Sequence, residues 1–170
     1  MKKIFAVAAI TILTATVASA DVATGTLTVT GTVESSINLI IETPAATSGT
    51  GTDAVTAALG NVNKYGAAPT GFTIAQGASD WTLSSSVDIT VDKSNLTSTN
   101  YTLTAQLGTA PDSGIVWKLN GSTLSESAPS PLTITGAYGS TDSYDWDIVV
   151  ADAADEGAID NAINFTATSN

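Results

Sequence analysis

The stretch "DSYDWDIVVADAADEGAID" holds Asp142, Asp145, Asp147, Asp152, Asp155, Glu156 and Asp160, the densest run of chemically capable side chains in the chain. Clustered carboxylates with loop carbonyls suit calcium, which takes several oxygen ligands, and Asp152, Asp155 and Glu156 are the candidates for such a site. The spacing is not that of an EF-hand, and carboxylates in a turn are more often simply solvated. Asp145 and Asp147 share a strand face about 6.6 Å apart by the rise of an extended chain. That separation suits a glycosidase pair, but nothing in the neighbouring residues suggests a pocket to raise one pKa.

Other chemistry is excluded by composition. Histidine, cysteine and arginine are absent. No Ser-His-Asp or Cys-His nucleophile and no His or Cys zinc site can be built, and no cofactor is expected. The chain reads as non-enzymatic. Residues 21–170 carry three lysines against sixteen carboxylates, a net charge of −13. Such a surface repels nucleic acid and anionic membranes, so neither is an expected partner. Lys64, Lys93 and Lys118 are the only amines available for Lys-Asn isopeptide links that would replace the missing disulfides.

Trp81, Trp117 and Trp146, with Tyr101 and Tyr144, could make a sugar-stacking platform. All five fall on the apolar side of their alternating segments, which places them in a core instead.

The elements that hold these residues are strands. Residues 1–20, "MKKIFAVAAITILTATVASA", have two lysines, an apolar run and an A-x-A end, the pattern of a signal peptide. Secretion is therefore expected, to a periplasm, cell surface or extracellular space, without stable membrane insertion. Residues 21–170 form one domain, large enough for its own core.

"TGTLTVTGTVESSINLIIE" alternates from Thr24 to Glu42, longer than the usual strand of about 5 to 6 residues. It divides into a core strand carrying Ile37, Leu39 and Ile41, and a preceding half carrying Leu27, Val29, Gly31 and Val33. The preceding half can pair in its own sheet, switch sheets or cross to a neighbour. "AVTAALG" reads as a short strand or helical turn. "GFTIA", "DWTLSSSVDITVD", "NYTLTAQL", "PLTITG", "SYDWDIVVA" and "AINFTATSN" all alternate, and "GIVWKLNGSTLS" reads as a hairpin turning on Asn120-Gly121. About eight or nine half-polar strands make two sheets packed face to face, with a closed barrel as the less supported alternative.

The order of these segments resembles the fimbrial subunits of the chaperone-usher class and the related spore coat protein U domain. "GTLTVTGTVESSINLII" is similar to their alternating opening strand, "AALGNV", "GFTIAQG" and "YTLTAQL" to inner segments, and "GAIDNAINFTATSN" to their terminal strand, with Gly157 fourteenth from the end. The usual disulfide of those families has no counterpart here, and Ser169 stands at the place of their penultimate aromatic.

The resemblance implies an immunoglobulin-like sandwich and a structural role in a pilus, coat or extracellular assembly. Copies would join as a homo-oligomer or polymer by β-strand addition, with an assembly chaperone as a further partner. Leu27, Val29, Gly31 and Val33 would be the assembly strand, and Ile163, Phe165 and Ala167 the C-terminal strand. A secreted monomeric binding module for carbohydrate or calcium is the alternative.

Overall fold

The computed structural model describes residues 28–30 and 32–170. The expected signal peptide, Leu27 and Gly31 lie outside the described residues. The chain divides into two units, with the boundary in sequence between Thr32 and Val33. The described residues of the first, 28–30 and 32, belong to no strand. The second, Val33–Asn170, is an all-β sandwich of nine strands in two antiparallel sheets.

Its spine is β3 (Asp80–Ser94), where Trp81, Leu83, Val87, Ile89 and Val91 point inward and are buried. One edge of β3 pairs with β8 (Thr141–Ala151). The other edge is shared by two strands, β2 (Thr73–Gln76) on the Trp81 half and β1 (Ser36–Glu42) on the Ser94 half. Between them Ser85 to Val87 lack a strand partner on that side. Side chains take over there: Thr43 Oγ1 donates to the Ser86 carbonyl at 2.6 Å, and Ser85 Oγ donates to the Gly71 carbonyl at 2.7 Å. Beyond β8 come β5 (Ile115–Leu119) and β6 (Ser122–Thr123), completing six strands.

The β5–β6 hairpin turns where Asn120 and Gly121 both take positive φ, 46° and 75°. This is the conformation expected of a type I′ turn, whose twist matches the flanking strands.

The second sheet has three strands, β7 (Ser130–Ala137), β4 (Asn100–Leu107) and β9 (Ile163–Ser169), in that order. Central β4 turns Tyr101, Leu103, Ala105 and Leu107 inward, all essentially inaccessible. Gly136 on β7 lies under the Tyr101 ring, whose atoms would stand 2.3 to 2.7 Å from any Cβ there. A side chain at that position would displace the ring.

All five aromatics singled out above are buried. Trp117 stacks on Trp146 at 6.3 Å, Phe72 meets Trp146 edge-on at 5.1 Å, and Trp146 Nε1 donates to the Ser86 carbonyl. A flat sugar platform made of these five rings is thereby ruled out.

One local expectation is corrected. "AVTAALG" forms neither a strand nor a helical turn; its only pairing is an isolated bridge between Ser48 and Thr56. Val55, Ala57 and Leu59 are nonetheless half-buried while their neighbours are exposed, so the segment is extended with its apolar side inward.

Candidate assembly interface

A β-sheet edge presents unpaired N–H and C=O groups, and folded proteins usually blunt it. Five strands border the two sheets, and four of them are short or blunted; β2 has only four residues. β6 has only two residues. β7 contains Pro131, and its pairing with β4 shifts register twice, the signature of bulges. β1 ends in Glu42, and beside it Ile41 exchanges hydrogen bonds with the following turn, N–H to Thr52 at 2.8 Å and C=O from Gly51 at 2.9 Å.

β9 is different. It pairs with β4 in unbroken register over all seven residues and contains no charge, proline or glycine. Gly108 N–H donates to the Ala162 carbonyl and Asn170 N–H to the Asn100 carbonyl. Because bonded residues alternate along an antiparallel strand, the even-numbered residues of β9 face β4. The N–H and C=O groups of Ile163, Phe165, Ala167 and Ser169 therefore point to the open side.

The side chains of Ile163, Phe165 and Ala167 point inward but stay half-exposed, as do Ile37, Leu39 and Ile41 of β1. Among the described residues, no strand lies beside β9 on that side. β1 and β9 are the facing edges of the two sheets, with Cα atoms approaching within 8 Å, yet no ladder joins them. A cavity of about 440 Å³ runs between these six side chains. It adjoins a larger cavity of about 1200 Å³ whose floor includes Val87, Trp117, Trp146 and Ile148 and whose cover is the Val55–Leu59 and Ala158–Phe165 segments.

Charge at this seam is slight and negative, from Asp53, Glu156 and Asp160 at its margins. The segment from Thr24 to Val33 contains no charged residue. Val29 and Val33 are 82% and 77% exposed and lie in no strand.

The remaining candidates are scattered. Both carboxylate oxygens of Asp152 accept from Lys64 Nζ at 2.8 and 2.9 Å, and this hydrogen bond raises the lysine pKa above its ordinary value. Asp155 and Glu156 are exposed, and among the described residues no group of three or more carboxylates is placed to hold a metal ion. Asp145 and Asp147 lie on the solvent face of β8, where Asp147 accepts from Ser84 Oγ at 2.6 Å. Lys93 donates to the Ser98 carbonyl and lies 5.0 Å from the Tyr138 ring centroid, and Lys118 stands opposite Asp147 in the ladder. The amines of Lys64 and Lys93 thus have partners other than asparagine side chains.

Sequence alternation found the inward residues of β1 and β9 but could not find the seam, because a half-buried strand and a fully buried one carry the same pattern. The detectable signal was composition: β9 alone among the edges has seven residues without a charge, proline or glycine. No protein-family model, curated protein or solved structure matches the chain.

Proposed function

We propose that the protein is a secreted, non-enzymatic structural subunit of a surface or extracellular assembly, and that copies join by strand addition. The segment Thr24–Val33 of one copy lies along β9 of the next and fills the seam. The observation that carries this reading is the open edge of β9 above half-exposed Ile163, Phe165 and Ala167.

The chemistry of the two parts matches. Leu27, Val29, Gly31 and Val33 are four alternate positions, and Ile163, Phe165, Ala167 and Ser169 offer four alternate backbone positions facing the gap. Backbone hydrogen bonds along β9 would supply affinity, and the alternation would set register, since a slip of one residue turns every apolar side chain outward. An uncharged segment also enters a seam rimmed by Asp53, Glu156 and Asp160 without repulsion. Burying the exposed faces of Val29 and Val33 is favourable at roughly 25 cal/mol per Å² of apolar surface.

Removing residues 21–33 tests this directly. Size-exclusion chromatography and negative-stain microscopy should then show folded monomers where the intact chain forms polymers. A synthetic Thr24–Val33 peptide should raise the melting temperature of the shortened chain. Unchanged polymers after the deletion would refute strand addition by this segment, and an intact chain that stays monomeric at high concentration would favour a binding module.

A further inference from the structure

The two sheets differ sharply in charge. The six-stranded sheet carries seven carboxylates within its strands, Glu42, Asp80, Asp88, Asp92, Asp142, Asp145 and Asp147, against two lysines, Lys93 and Lys118. Glu42 and Asp88 even stand directly opposite one another in the ladder, an unfavourable like-charge pair. The strands of the three-stranded sheet contain no Asp, Glu, Lys or Arg at all.

The outer face of that neutral sheet is ordered as well as uncharged. Thr102 stands opposite Thr168, Thr104 opposite Thr166, and Gln106 opposite Asn164. Several of its polar groups are already tied down: Thr102 Oγ1 donates to Asn170 Oδ1 at 2.8 Å, Asn170 Nδ2 donates to the Ile134 carbonyl at 2.8 Å, and Gln106 Nε2 donates to the Glu126 carbonyl at 2.7 Å. The bulged strand β7 throws Ile134 to the surface beside them, 67% exposed. Glu126 lies at the opposite end, by Gln106.

We propose that this neutral threonine face is a second self-association surface, on which two copies meet sheet to sheet and polymers pack side by side. In a chain of such negative charge, two copies brought together through any other sheet face would oppose carboxylates to carboxylates. The neutral face is where the repulsion is least. It carries no aromatic on its outer side, so it lacks the stacking surface a sugar would use.

Three strands about 4.8 Å apart and about 23 Å long cover on the order of 300 Å², below the roughly 800 Å² per partner of a stable complex. Each contact is therefore weak, and becomes effective when many are arrayed along a polymer. The strength of the side-by-side contact thus rests on the polymer proposed above, whereas the location of the surface does not.

The test uses the full chain and exploits the absence of cysteine. Under mild oxidation at high concentration, Ile134→Cys should form disulfide-linked dimers at least tenfold faster than Val116→Cys on the outer side of the acidic sheet. The double substitution Thr104→Glu with Thr166→Glu should abolish side-by-side bundles in negative stain while leaving single fibres, and Thr104→Ser with Thr166→Ser should leave bundles intact. Added salt should promote bundling of the unaltered chain.

Equal cross-linking rates at the two cysteine positions, or bundles that persist in the double Glu variant, would overturn the inference. Fibres that persist on deleting residues 21–33 while Ile134→Cys still cross-links preferentially would instead break the strand-addition reading and leave this surface standing.

Discussion

β7 and β9 are the two edges of one three-stranded sheet, both antiparallel to β4, and they treat their exposure in opposite ways. β7 interrupts itself with Pro131, Gly136 and two register shifts. β9 keeps seven residues in register, and the outward backbone groups of Ile163, Phe165, Ala167 and Ser169 have no strand partner among the described residues. An irregular edge cannot template another strand, whereas a regular, uncharged one invites it. The difference teaches that the open edge of β9 is not a general laxity of the fold, because the same sheet shows how an edge is closed.

The largest expected effect on assembly comes from proline placed at neighbouring positions of β9. At Thr166 the backbone N–H faces β4, so Thr166→Pro breaks the ladder and leaves a carbonyl without its donor. The loss should be about 1–3 kcal/mol for that group alone, with added strain from the ring. At Ala167 the N–H faces the gap, where proline is tolerated in an edge strand. Ala167→Pro should retain a near-normal melting temperature and abolish polymers. Equal loss of stability in both variants would show that the alternation of bonded residues along β9 is assigned wrongly.

A second contrast sets the closed centre of the sandwich against its open side. Leu103 on β4 is wholly buried, and Leu103→Ala should destabilise the monomer by about 2–5 kcal/mol in denaturant titration. Phe165 on β9 is half-exposed, so Phe165→Ala should cost only on the order of 1–2 kcal/mol by the area it buries. Assembly should rank them the other way, with Phe165→Ala the more damaging once its effect on folding is subtracted.

Much of the closed centre was legible in the sequence. Trp81 to Val91, Tyr101 to Leu107 and Tyr144 to Val150 alternate cleanly because each strand has a core on one face and water on the other. Asn120-Gly121 announced its hairpin through backbone chemistry that few other dipeptides allow. Val55, Ala57 and Leu59 were harder: they alternate and turn inward, yet pair with nothing along a ladder. Alternation reports which side of an extended chain is dry, and pairing depends on residues far away in sequence. For the same reason Ile163, Phe165 and Ala167 could be placed on a terminal strand, while the position beside that strand, unfilled among the described residues, emerged only from the order of strands.

The smallest effect, and the one that separates the two regions by titration, is alkaline. Burial first, and then the field of Asp142, pushes the Tyr144 phenol up to about 12, and the same causes raise Tyr101, whose hydroxyl lies 3.4 Å from Asp142 Oδ2. Both rings belong to the closed centre. Their folded pKa values exceed the ordinary tyrosine value of 10.0, so the unfolded chain releases these protons first. The native state then binds more protons than the unfolded state, and stability falls as pH rises. The contribution is complete below pH 10, declines above it, and for Tyr144 is lost by about pH 12. The apolar residues of the seam carry no titrating group, so polymers should withstand alkali until the fold itself gives way. Tyr144→Phe should flatten the decline of melting temperature above pH 10. Polymers that dissolve well below that pH, while the monomer's melting temperature is unchanged, would locate a titrating group at the assembly contact itself.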